Sequence, residues 1–191
     1  MIELRLKKTS VQMDFSFFAV ITVFLLLDQT GFGLSALVVC GVHEMAHLLM
    51  MTVFGISAEK ILFYGAGIRI TSTQTEYARP SIKAAVLLAG CAANFICAAV
   101  LFMGEHPSAA AINLFTGIFN LLPIGELDGA GLLKIFAIRF CKPENVDRIM
   151  KIAAIVCSVF CAAVIILFGK NFSFTLLSTV IYLIIIGSES I

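Results

Sequence analysis

GLSALVVCGVHEMAHLLMMTVF, residues 33–54, is apolar almost throughout, yet it carries three ionisable side chains, His43, Glu44 and His47, within five positions. A helix rising 1.5 Å per residue needs about 20 mostly apolar residues to cross the hydrocarbon core of a bilayer, and this stretch is long enough. Ionisable groups at that depth cost a few kcal/mol each, so three of them together mark a working site. On a helix His43 and His47 stand one turn apart on one face, where two neutral imidazoles can hold one Zn²⁺. Glu44 sits beside that face, placed to take a proton from water polarised by the metal.

Outward from this stretch, the composition is that of a membrane protein. Of 191 residues, 60% are hydrophobic and 13% charged, against roughly 45–50% and 25% in a soluble domain. The net charge of +1 offers no basic excess for nucleic acid. Residues 15–27, 84–104, 108–125, 152–169 and 171–188 contain no Asp, Glu, Lys or Arg. The expected spans are therefore 14–30, 33–54, 82–104, 108–139 (broken midway), 149–169 and 172–187.

Lys and Arg gather at Arg5, Lys7 and Lys8, at Lys60, Arg69, Arg79 and Lys83, and at Lys134, Arg139, Lys142, Arg148 and Lys151. By the positive-inside rule these segments face the cytoplasm, giving six spans with both termini cytoplasmic. The basic start followed by an apolar run also fits a signal peptide, but no small-residue cleavage site follows Leu27. Of six cysteines, Cys91, Cys97, Cys157 and Cys161 lie in uncharged runs and read as reduced, lipid-buried small side chains.

A catalytic zinc ordinarily has three protein ligands. The remaining histidine, His106, falls in a turn on the far side of the membrane and reads as an interfacial residue. The third ligand is then a carboxylate from Asn120-Leu121-Leu122-Pro123-Ile124-Gly125-Glu126-Leu127-Asp128-Gly129-Ala130-Gly131, namely Asp128 or Glu126. Pro123 and three glycines within seven residues predict that the helix unwinds there. Irregular backbone at membrane depth is tolerated where it lines a water-filled cavity. Ile61-Leu62-Phe63-Tyr64 and Ile68-Arg69-Ile70-Thr71 around Gly65-Ala66-Gly67 predict a β-hairpin, whose edge offers an added-strand position for an extended substrate.

Two motifs in order, His43-Glu44-Met45-Ala46-His47 and Asn120-Leu121-Leu122-Pro123 followed by Leu127-Asp128-Gly129, resemble the site-2 protease family of intramembrane zinc metalloproteases, over roughly residues 30–140. The resemblance implies zinc ligands His43, His47 and Asp128, with Glu44 as catalytic base. Ala89-Gly90-Cys91-Ala92-Ala93-Asn94 looks like the family's AGPxxN segment, with Cys91 at the usual proline. Asn94 is then an oxyanion or substrate donor, or an interhelical hydrogen-bonding residue. Asn120 positions substrate or caps the broken helix. The family's LDG is usually followed by glycine, where this chain has Ala130.

The expected fold is an all-α polytopic membrane protein of about six transmembrane helices. It has a three-helix catalytic core, a broken fourth helix and a short membrane-dipping β-hairpin. Residues 1–191 are read as one membrane-embedded domain with its catalytic core at about 33–140, without a PDZ or cytoplasmic regulatory domain. The expected function is hydrolysis of membrane-tethered proteins in a bacterial cell membrane, with the site opening to the cytoplasm. Expected partners are that substrate, membrane lipid and a separate regulatory membrane protein, and no nucleic acid. The six-span layout and the loop 60–80 look most like the sporulation branch, which releases a membrane-tethered pro-sigma factor; an anti-sigma factor is the related possibility. A zinc-binding scaffold or chaperone of the same fold would keep the ligands without cleaving. A transporter would spread polar groups along a pathway, whereas here they cluster at one level.

Overall fold

The computed structural model describes residues 1–6, 9–28, 31–65 and 67–168. Its elements are β1 (Ile2–Leu6), β2 (Thr9–Met13), α1 (Phe15–Leu27), α2 (Phe32–Val53), β3 (Lys60–Tyr64), β4 (Gly67–Thr71), α3 (Thr73–Tyr77), α4 (Pro80–Met103), α5 (Pro107–Asn120), α6 (Asp128–Phe140) and α7 (Pro143–Phe168). They fall into two compact units, 1–117 and 118–191, whose boundary lies within α5. The expected span 172–187, Lys7 and Lys8 lie outside the described residues, as do Gln29, Thr30 and, in the turn of the expected hairpin, Ala66.

Proline punctuates the chain. Pro80, Pro107 and Pro143 each open a helix, where the missing N–H has no intrahelical acceptor to lose and the fixed φ suits the first turn. Pro123 falls in the gap between α5 and α6, so the predicted break is present. Within the gap Leu121 and Leu122 N–H groups donate to the Ile118 and Phe119 carbonyls at 3.1 and 3.0 Å, and Gly125 takes φ 54. The chain then re-enters α6 at Asp128.

A Cβ built at Gly129 would fall far inside contact distance of the Leu121 and Leu122 carbonyls. Alanine favours a helix over glycine by about 1 kcal/mol. Here the clash with fixed backbone wins, since overpacking costs about 1–3 kcal/mol or more. Gly129→Ala is therefore expected to lower the midpoint of thermal unfolding in detergent, against the propensity scale.

α2 and α4 are turned inside out relative to helices of a water-soluble protein. On α2, Val39, His43, His47 and Met51, at spacings of four, are buried, while Leu34, Val38, Met45, Leu49 and Val53 are exposed. On α4, Val86, Gly90, Asn94 and Ala98 face inward, and Leu88, Ile96, Val100 and Phe102 face outward. Polar groups point to the protein and large apolar ones to the surroundings, the arrangement that a lipid solvent favours. Gly33–Val53 and Pro80–Met103 are long and apolar enough to cross a membrane.

α2 ends in a left-handed glycine motif. Gly55 has φ 68, its N–H reaches the Thr52 carbonyl at 3.0 Å, and the Ile56 N–H reaches that of Met51 at 2.9 Å. These bonds satisfy the last carbonyls of the helix. Ile56 and Met51 then join Val86 of α4 in a buried cluster that fastens the two helices together.

The expected hairpin is present as antiparallel β3 and β4, but it is half of a larger sheet. β1 and β2 form a second antiparallel hairpin, and β2 pairs in parallel with β3, giving the order β1-β2-β3-β4. This corrects the all-α expectation. Ile2-Glu3-Leu4-Arg5-Leu6 alternates apolar and charged residues and Val11-Gln12-Met13 repeats the pattern, a strand signature. Reading Arg5 only as a topogenic charge obscured it. Thr9 Oγ1 donates to the Ala58 carbonyl at 2.7 Å, and the Asp14 N–H to that of Phe63 at 2.8 Å, so β2 is secured at both ends. Glu3 accepts from Ser10 Oγ and Arg5 Nε, which hold its carboxyl below the usual range.

Candidate metal centre

The centre is built where the inward faces of α2 and α4 meet. His43 and His47 are 4% and 8% exposed, and Asn94 is fully buried. The His43 Nδ1–H donates to Asn94 Oδ1 at 3.3 Å, and the His47 Nδ1–H to the backbone carbonyl of Val86 at 2.7 Å. Both partners are oxygens, so in the tautomer that satisfies them each neutral ring keeps its proton on Nδ1 and a lone pair on Nε2. The two Nε2 atoms face each other at 3.0 Å. Two acceptors at that distance, withdrawn from water, repel unless a cation lies between them. Tetrahedral zinc, with zinc–nitrogen bonds of about 2.0–2.1 Å, sets its nitrogens about 3.3 Å apart, so the pair fits such an ion after a small opening.

Fixing the far nitrogen of a ligating histidine to an oxygen is the usual outer-shell device of metal sites. Here α4 supplies it for both rings, from residues two turns apart. It also supplies the space: a Cβ at Gly90 would stand 2.5 Å from His47 Nε2 and 2.6 Å from His43 Nε2. Only a glycine lets the helix backbone approach the ring pair this closely. Asn94 Nδ2 has no hydrogen-bond partner among the described residues, an orphaned buried donor next to His43.

Of the residues singled out in the sequence, His43, His47 and Asn94 come together in the first unit, with Glu44 half-buried beside His43 on α2. Asn120 and Asp128 belong to the second unit, the last residue of α5 and the first of α6. An anionic side chain in that first turn lies at the positive end of the helix dipole. Glu126 is exposed in the intervening turn, and His106 lies between α4 and α5. Three contributors went unread: the Val86 carbonyl, Gly90 and Cys91. Val86, Gly90 and Asn94 are four apart, so a helical wheel of α4 puts them on one face. Cys91 is 1% exposed, packed inside the protein rather than turned to lipid, and its sulfur lies within 4.8 Å of a ring nitrogen of His43.

Residues 31–105 match the model of Peptidase family M50. The matched stretch contains the whole His43–Glu44–His47 and Val86–Asn94 arrangement and stops short of Asn120 and Asp128. The chain also shares the fold of the site-2 protease from Methanocaldococcus jannaschii, at a TM-score of 0.68 and 17% identity, over 99% of this chain and 94% of that one. None of the curated protein sequences matches it. The M50 match covers the histidine pair and its supports on α4, and the fold likeness extends over nearly the whole length.

Proposed function

We propose that this chain is an intramembrane zinc metalloprotease that hydrolyses peptide bonds of membrane-tethered proteins. The observation that carries the reading is the pair of Nε2 atoms 3.0 Å apart, each ring fixed from behind, with a carboxylate one residue away from His43. His43 and His47 hold the ion, and Asp128 is the third ligand, the anionic one. When bound, zinc acts as a Lewis acid that lowers the pKa of water towards about 7 and polarises the scissile carbonyl.

The rest falls to the chain's own residues. Glu44 accepts the proton as water adds to the carbonyl carbon, and returns it to the amine as the C–N bond breaks. Asn94 orients His43 through Oδ1 and offers Nδ2 to the developing oxyanion. Asn120 positions substrate backbone at the end of α5. β4 ends the sheet order, so a substrate segment can pair with its outer edge and be held extended, its peptide bonds unwrapped. The class we propose is a protein tethered to a bacterial cell membrane, approached from the cytoplasmic side, with a pro-sigma factor as first candidate and a separate membrane protein as regulator.

The test is metal removal. In proteoliposomes containing the full chain and a membrane-tethered substrate, a zinc chelator is expected to abolish cleavage and added Zn²⁺ to restore it. Cleavage unaffected by a chelator that strips the metal would refute the reading. The two roles of Asn94 also separate. Asn94→Ala is expected to weaken metal binding about 10–100-fold, the usual cost of losing an outer-shell partner. Asn94→Asp keeps the acceptor for His43, so it should retain the metal but slow turnover, measured as zinc content beside kcat.

A further inference from the structure

Cys91 occupies the turn of α4 that faces the histidine pair. It follows Gly90, the residue whose missing side chain admits the rings, and precedes Asn94 by three positions, on the helix that fixes both imidazoles. Its sulfur and a ring nitrogen of His43 lie within 4.8 Å of each other. On one tetrahedral zinc, with Zn–S about 2.3 Å and Zn–N about 2.0–2.1 Å, a sulfur and a nitrogen stand about 3.6 Å apart, so the thiol would have to turn towards the ring pair to share an ion with it. A buried cysteine by itself is an inert small hydrophobe. What sets this one apart is the pair of Nε2 acceptors facing each other beside it, an arrangement that calls for a cation and, with it, for soft or anionic donors.

We propose that Cys91 Sγ is itself a protein ligand to the ion held by His43 and His47. The inference rests on the metal-site reading above. It would add a soft donor from α4 to the two imidazoles of α2. Were the ion bound, the thiolate would occupy a position that water would otherwise take.

Zinc X-ray absorption on the full-length chain in detergent reads the ligand atoms directly. The expected result is a sulfur shell at about 2.3 Å beside the nitrogen and oxygen shell at about 2.0–2.1 Å. Cys91→Ser should lose the sulfur shell and keep the zinc. Cys40→Ser should keep both; Cys40 lies one turn before His43 on α2 but is exposed. A wild-type spectrum with nitrogen and oxygen alone overturns the Cys91 proposal and leaves the metalloprotease reading standing. A wild-type chain that retains no zinc when saturated and desalted overturns both. Should Cys91→Ser fold poorly, a chain with the other five cysteines changed to serine decides, since a sulfur shell that it keeps can come only from Cys91.

Discussion

Glu44→Gln is expected to cut hydrolysis of a membrane-tethered substrate by about 10²–10⁴-fold, the range a positioned general base supplies, while metal content stays at the wild-type level. The amide is nearly isosteric with the carboxylate, so α2 and the ring pair keep their geometry. It cannot accept a proton from water at neutral pH, so the step that costs most without help is the one lost. In cells the same substitution gives a second readout. A membrane-tethered protein that stays full length only with Glu44→Gln would identify the substrate class by its failure to be processed. Wild-type turnover by the variant in proteoliposomes would remove Glu44 from the mechanism. Loss of zinc would mean that the carboxylate has a structural role instead.

Gly90→Ala should do comparable damage through packing alone. The added methyl would stand 2.5–2.6 Å from ring atoms of both histidines, closer than real side chains approach. The rings cannot swing aside without giving up the Asn94 and Val86 oxygens. Since losing one such partner costs about 10–100-fold in metal affinity, displacing both rings is expected to cost at least about 100-fold, with activity falling in step. Gly41→Ala is the control. It lies on α2 two residues before His43, its Cβ would meet nothing within 4 Å, and the change should stabilise the helix by up to about 1 kcal/mol. Zinc titration of the two purified variants separates the outcomes. Equal affinities would mean that α4 and the ring pair are not held as close as described.

The legible part of this protein was the part with a price in free energy. Three ionisable groups in an apolar helix cannot be accidental, so His43, Glu44 and His47 announced themselves. Pro123 with its glycines likewise dictated the gap between α5 and α6. The supports of the centre were silent because they use backbone or bulk rather than functional side chains. The Val86 carbonyl exists at every position of every helix, and Gly90 contributes by having nothing. Cys91 looked like one more small residue in an apolar run until α4 was laid against α2. The N-terminal strands were readable from their alternation. Their partner was not, since parallel pairing of β2 with β3 joins segments about fifty residues apart, and no local pattern encodes that.

That pairing carries a counting rule. A sheet's hydrogen bonds cannot straddle a bilayer, so residues 9–13 and 60–64 share one side of it, and whatever crosses between them crosses an even number of times. If α2, at 22 residues, makes one passage, α1 must make the other with only 13. At 1.5 Å per residue that is about 20 Å against a hydrocarbon layer of about 30 Å. A passage that short would be met by lipid drawn thin along α1 or by residues snorkelling at its ends, on the flank of the protein where the sheet, the start of α1 and the end of α2 come together.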